Sequence, residues 1–308
     1  MKGEKMKFLL FADFHYAPHK FLSGEFAELR EIQETAEREN CDFIIHAGDF
    51  CNAPAKYKDF VDTYNNFHIP SYHVIGNHEA GSNTFAETLA AYKMESPYYY
   101  FDCKGYRMIA LDPNYYKDGE ELIHFEFTNY HAPGASRDWM PQDQLDWLKK
   151  TIDSSPYPCI LISHESFERC DGVKNREDVL KIINEANAKK PHSVLMCING
   201  HHHRDHIRIL DGVCYFDVNS TKIDWVEGVT HDRYPADLLA KYRALNHTLV
   251  YTDPLYCVVE LDGNTIDIKG RESTMLMGIT REDIGGKPFD KAGRAVLPKI
   301  QSVKLTLG

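Results

Sequence analysis

Five short segments carry residues able to bind metal or move protons: Asp13-Phe14-His15, Gly48-Asp49, Gly76-Asn77-His78-Glu79, His164 and Gly200-His201-His202-His203. Carboxylate, carboxamide and imidazole donors with no cysteine among them suit a borderline divalent transition metal such as manganese, iron or zinc. They do not suit a structural zinc site, which is built on thiolates. Any one segment is common by chance; five in succession are not.

The elements before each segment explain how they could meet. Apolar runs at 7–12, 42–46, 72–75, 159–163 and 193–199 read as strands, and each polar segment directly follows one. Amphipathic patterns at 25–39, from Pro54 onward, and at 85–93, 141–152 and 176–189 read as helices, Pro54 and Pro141 marking starts. Alternating strands and helices imply an α/β arrangement. Ligands bind beyond the carboxyl ends of the strands in such sheets, so all five segments would converge there. Tyr98–Asp102 and Tyr106–Asp112 read as a strand pair, and 113–140 as one long polar loop of the kind that usually serves function. Beyond His206 the pattern is mainly β, at 207–210, 213–218, 255–261 and 265–269, with a helix at 235–245 and a last strand at 302–307.

The order of these segments resembles that of the calcineurin-like metallophosphoesterases, from residue 13 to 203, and 144–148 is similar to a helix of that family. The resemblance implies an α/β (α+β) four-layer αββα sandwich of two mixed sheets flanked by helices. It implies a domain over 1–270 with a helical insertion near 224–254, and a tail, 271–308, packed on it. Two divalent or trivalent transition-metal ions (manganese, iron or zinc) are implied as cofactors. Asp13, His15, Asp49 and His203 would hold the first, and Asp49, Asn77, His164 and His201 the second, with Asp49 bridging. A hydroxide shared by the ions would attack the phosphorus of a small phosphodiester or phosphomonoester. His78 would be the catalytic residue, stabilising phosphate charge or protonating the leaving oxygen. Gly48-Asp49 lacks the Arg-Gly extension of the protein-phosphatase branch, and Glu165-Ser166 after His164 departs from the His-Pro runs of cyclic-nucleotide phosphodiesterases.

Other positions keep two readings each. His46, Glu79 and Glu165 would orient neighbouring ligands or simply be buried. His202 would be structural or touch substrate. Arg204 and His206 would sit at a solvated rim. Tyr16, Phe50, Tyr115, Tyr116 and Trp139 would form an aromatic wall or ordinary packing. The helix at 235–245, with Leu238, Leu239 and Tyr242, would be a lid, a dimer contact or local packing. No substrate-binding residue is assigned.

The 308 residues suffice for one large domain, or two. A formal net charge of −11 opposes extended nucleic acid, for which a basic face is needed. Asp118, Glu120 and Glu121 point the same way, toward a small phosphorylated partner. A nuclease of the same family, a silent scaffold with the same fold, and zinc-dependent amide or ester hydrolysis are the alternatives. No apolar run approaches a membrane span. Eight scattered cysteines without a C-x-x-C pair read as free thiols in a reducing compartment, which gives a cytoplasmic expectation.

Overall fold

A computed structural model describes residues 5–22, 26–226, 228–290 and 293–308. In chain order the first half is β1 (Met6–Phe11), α1 (Phe26–Arg38), β2 (Phe43–His46), α2 (Lys58–Asn65), β3 (Ser71–Tyr72), α3 (Phe85–Tyr92), β4 (Tyr99–Cys103), β5 (Tyr106–Ala110), β6 (Tyr115–Asp118), β7 (Glu121–His124), β8 (Ser136–Arg137) and α4 (Gln142–Asp153). The second half is β9 (Cys159–Ile162), α5 (Arg176–Lys189), β10 (Val194–Asn199), β11 (His206–Leu210), β12 (Val213–Asp217), β13 (Ile223–Trp225), α6 (Ala236–Lys241), β14 (Thr248–Val250), β15 (Cys257–Asp262), β16 (Thr265–Lys269) and β17 (Val303–Thr306).

Two six-stranded mixed sheets dominate, ordered β17-β16-β15-β1-β2-β3 and β11-β12-β10-β9-β5-β4. Side-chain alternation along the strands sorts the core into layers. Phe8, Leu10, Phe43 and Ile45 of one sheet pack between the sheets with Met108, Ile160, Ile162 and Phe216 of the other. The opposite faces are covered by helices. Leu9, Phe11 and Ile44 meet Leu29 and Ile32 of α1 and Phe60 and Tyr64 of α2. Ile109, Leu161 and Cys197 meet Leu145, Leu148 and Ile152 of α4 and Val179 and Ile183 of α5. The result is the αββα sandwich implied by the resemblance. Strands β1, β2 and β3 run parallel, as do β5, β9, β10 and β12, so their carboxyl ends share one edge of the sandwich.

Several expectations need correction. Residues 113–140 are not one loop: β6 pairs with β7 and β8 in a three-stranded sheet. Its strands are short and half exposed, so their alternation is faint, and Asp118, Glu120 and Glu121 lie at and beside its exposed turn. The strand expected at 72–75 pairs only at Ser71 and Tyr72, and the helix expected from Pro54 begins at Lys58. The first residue of the helix expected at 25–39 lies outside the described residues. The stretch 224–254 is only partly helical, because β13 pairs with β14 there. Leu238, Leu239 and Tyr242 pack on a cluster with Phe21, Ile223 and Val250, which is the local-packing reading of the 235–245 helix. All eight cysteines are free. No helix among the described residues is long and apolar enough to cross a membrane.

Candidate metal centre

The five segments meet at the shared edge of the two sheets. Asp13 and His15 leave β1, Asp49 leaves β2, Asn77 and His78 follow β3, His164 leaves β9, and His201 and His203 leave β10. The β1–β2 ladder continues into the site: the Asp13 amide donates to the Gly48 carbonyl (3.0 Å) and the His15 amide to the Asp49 carbonyl (2.8 Å). Asp13, His15, Asp49, His201 and His203 all have φ between 51° and 65°, a left-handed backbone that side-chain-bearing residues seldom adopt. Such strain, of order 1–3 kcal/mol at each residue, persists where surrounding structure enforces it, typically at functional sites. Two glycines permit the close approach. A Cβ on Gly76 would collide with the Asp49 carboxylate and amide, and one on Gly200 with the Asp13 carboxylate and the Ala47 carbonyl.

The ligand atoms form two groups joined at Asp49. In the first, His203 Nε2 lies 3.2 Å from both Asp13 Oδ1 and His15 Nε2, and His15 Nε2 is 3.8 Å from Asp49 Oδ2. In the second, His164 Nε2 lies 3.1 Å from Asp49 Oδ2 and 3.3 Å from His201 Nδ1, which is 3.1 Å from Asn77 Oδ1. Two orienting bonds set which nitrogens face inward. His203 Nδ1 donates to the Ile223 carbonyl (2.7 Å) and His164 Nδ1 to the Ala47 carbonyl (2.8 Å). In the neutral rings each Nε2 lone pair therefore faces the carboxylates, the arrangement that metal-binding histidines use. Lone pairs aimed at one another at such distances call for a cation between them, so the residues fit a dinuclear centre.

Electrostatics agree. Burial pushes the Asp49 carboxyl up, yet the nearby His164, His78 and His15 outweigh it and hold Asp49 well below the carboxylate range. Burial works against the charged form of His164 too, but Asp49 wins and raises it. A proton thus stands in for positive charge between them, and a bound cation would displace it. Burial lowers His15 and His201 far below the usual histidine value, which keeps them neutral and able to coordinate.

His78 stands at the mouth, its side chain 23% exposed, with Nε2 3.9 Å from Asp49 Oδ2. It too lies near enough to Asp49 and His15 to join a ligand group. The Asn52 amide nitrogen donates to His78 Nδ1 (2.9 Å), which leaves the proton of a neutral ring on Nε2. Burial holds its pKa down at about 4.

The supporting residues take definite roles. Glu79 does not orient a histidine. Its buried carboxylate accepts from the amides of Gly76 (2.9 Å), Asp49 (3.2 Å), Phe50 (2.6 Å) and Cys51 (3.3 Å) and from the Tyr92 hydroxyl (2.8 Å), tying two ligand loops together. Burial and the Asp49 charge push it up to about 7. His46 Nδ1 accepts from the Gly48 amide (3.2 Å), while its Nε2 faces His73 Nδ1 (2.7 Å), so it braces a loop. Arg204 is not at a rim: it is buried and donates to the His203 carbonyl (2.5 Å) and to Asp224 (2.8 Å). His202 sets its ring edge-on to His201 at 5.0 Å and lies among the charges of Arg169 and Asp217. Phe50 belongs to the core and Tyr16 stacks on Phe60 at 3.7 Å.

Sequence reasoning missed Trp225 and Tyr130. The half-buried Trp225 ring lies 6.0 Å from His78 and 6.1 Å from His15, beside Phe21 at 5.5 Å. Tyr130 lies close to Asn77, and burial pushes its hydroxyl up to about 12. Both come from segments without a motif, so no local signal marks them.

The fold has relatives of known structure. A dimetal phosphatase from Danio rerio is 15% identical, with 98% of this chain and 99% of that one covered and a TM-score of 0.60. GAP50, the anchor in the inner membrane complex of Plasmodium, is 14% identical, with 99% and 89% covered and a TM-score of 0.55. At these identities the likeness is one of fold. No curated protein matches the chain. The family model described as calcineurin-like phosphoesterase matches residues 6–205, well over half of the sequence. The convergent strand-end ligands and this match together place the chain among the calcineurin-like phosphoesterases.

Proposed function

We propose that the chain hydrolyses a small phosphodiester or phosphomonoester at two transition-metal cations of the manganese, iron or zinc type. Asp13, His15, Asp49 and His203 hold one cation, and Asp49, Asn77, His164 and His201 the other. The observation that carries this reading is the pair of ligand groups sharing Asp49, with His164 and His203 both locked to present Nε2. When bound, such cations acidify water and neutralise phosphate oxygens.

The chain's own residues do the rest. Asp49 lies between the two groups, its Oδ2 facing both His15 and His164, while its Oδ1 accepts from the His78 amide (2.8 Å). Asn77 contributes a neutral oxygen, which leaves the centre positive enough to attract an anion. His78, neutral because burial holds it at about 4, donates its Nε2 hydrogen to a phosphate oxygen. Of its two expected roles, stabilising phosphate charge suits that state better than protonating the leaving oxygen. Trp225, backed by Phe21, walls one side of the mouth.

The −11 net charge weighs against a nuclease. A silent scaffold is the other alternative, since one chain of similar fold is described as an anchor; retention of every ligand segment weighs against it. The test is hydrolysis of chromogenic phosphate diesters and monoesters by metal-stripped protein reconstituted with Mn²⁺. Turnover of either supports the reading, and the preferred one assigns diesterase or phosphatase. No turnover with two cations bound would contradict it. The His78→Ala variant is expected to keep both cations and lose turnover by ~100-fold or more; an unchanged rate would remove His78 from the mechanism.

A further inference from the structure

Glu165 is fully buried and neither of its carboxylate oxygens has a hydrogen-bond partner. The backbone on either side of it is held in place. The Ser163 hydroxyl holds the Glu165 carbonyl, and the Val173 amide donates to the Ser166 carbonyl (2.9 Å). A Cβ on Gly172 would collide with that same Ser166 carbonyl, so the loop is tightly closed. A buried carboxylate without hydrogen bonds is costly, and a bound ion is one of the few things that offset it. Nearby Asp138, also buried, adds a like charge rather than relief. What faces Glu165 is the second half of the metal centre: its ligand oxygen and the ligand nitrogens of His164 and His201 all lie within 4.8 Å of one another. Ligand atoms of one ion lie no more than roughly 4.3 Å apart, so little or no closing movement is needed.

We propose that Glu165 is a direct ligand of the cation held by His164 and His201, an anionic arm that matches Asp13 in the first half of the centre. The proposal rests on the dinuclear reading above. With it the second cation has two carboxylate ligands, Asp49 and Glu165, and is bound more tightly than Asp49, Asn77 and the two histidines alone would allow.

The test is titration of metal-stripped protein with Mn²⁺, following bound ions by calorimetry and free Mn²⁺ by electron paramagnetic resonance, together with thermal unfolding of the metal-free and loaded forms. Wild type is expected to bind two ions. Glu165→Gln should weaken one ion by tenfold or more and leave the other unchanged. Glu165→Met should lose that ion, yet unfold at a higher temperature than wild type when metal-free, because an unpaired buried carboxylate has gone. Two ions bound with wild-type affinity in both variants would overturn the proposal and leave the dinuclear reading intact. A metal-free Glu165→Met that melts lower while binding both ions would make the residue structural and also overturn it. If that variant does not fold, Glu165→Gln alone decides. Fewer than two ions in wild type would overturn the dinuclear reading, and this proposal with it.

Discussion

The two halves of the candidate centre are held by different parts of the chain. The second half (Asn77, His164, His201) leans on central strands: His164 Nδ1 donates to the Ala47 carbonyl, and the Gly200 amide to the His164 carbonyl (3.1 Å). The first half (Asp13, His15, His203) leans on residues far along the sequence. Ser220 Oγ donates to the Asp13 carbonyl (3.0 Å), and the Ile223 carbonyl receives His203 Nδ1. Beneath them Asp224, fully buried, is gripped by Arg204 (2.8 Å) and by Arg281 (2.7 Å), whose guanidinium also donates to the Trp225 carbonyl (2.7 Å). The supports of the second half fall within the 6–205 family match, and those of the first half extend beyond it. A family's motif can thus record the ligands while half of their support is built from segments that carry no motif.

Asp49→Ala should have the largest effect, because it removes the one group common to both halves. We expect loss of at least one cation, read by metal analysis after gel filtration; retention of both would sink the bridging assignment. Arg281→Ala should act on one half only. Asp224 keeps Arg204 but loses charged hydrogen bonds, at roughly 2 kcal/mol, and the cation at His203 should weaken by roughly tenfold while the other is spared. Equal weakening of both would erase the contrast between the halves.

The smallest effect concerns pH. Burial lowers His73 to about 3 and His78 to about 4, both below the unfolded histidine value of 6.5. Their folded values are depressed, so the unfolded chain binds more protons as pH falls. Their contribution to stability is complete above pH 6.5 and is lost as pH falls through 6.5 toward 4 and 3. The melting temperature of metal-free protein should drop across that window. His73→Gln should make the drop shallower, because it removes a residue that no ligand group includes; an unaltered slope would assign the pH dependence elsewhere.

The candidate ligands were legible in the sequence because each is placed by a local rule: a short apolar strand, then a tight turn, then a donor. The same rule exposed Gly76 and Gly200, whose missing side chains make room for Asp49 and Asp13. What stayed hidden is non-local. The Arg281–Asp224 pair spans 57 residues and the Ser220–Asp13 bond 207, and neither leaves periodicity or spacing to read. Trp225 reaches His78 only because β13 pairs with β14 within a stretch whose pattern favours a helix. The sheet formed by β6, β7 and β8 escaped notice because half-exposed strands lack a clean apolar face.

The central claim is that one carboxylate, Asp49, joins two cations at the strand ends. A crystal structure of Mn²⁺-loaded protein with anomalous scattering tests it most directly. The account predicts two manganese peaks, each in contact with Asp49, one beside His15 and His203 and the other beside His164 and His201. A single peak, or two peaks of which only one touches Asp49, would contradict it.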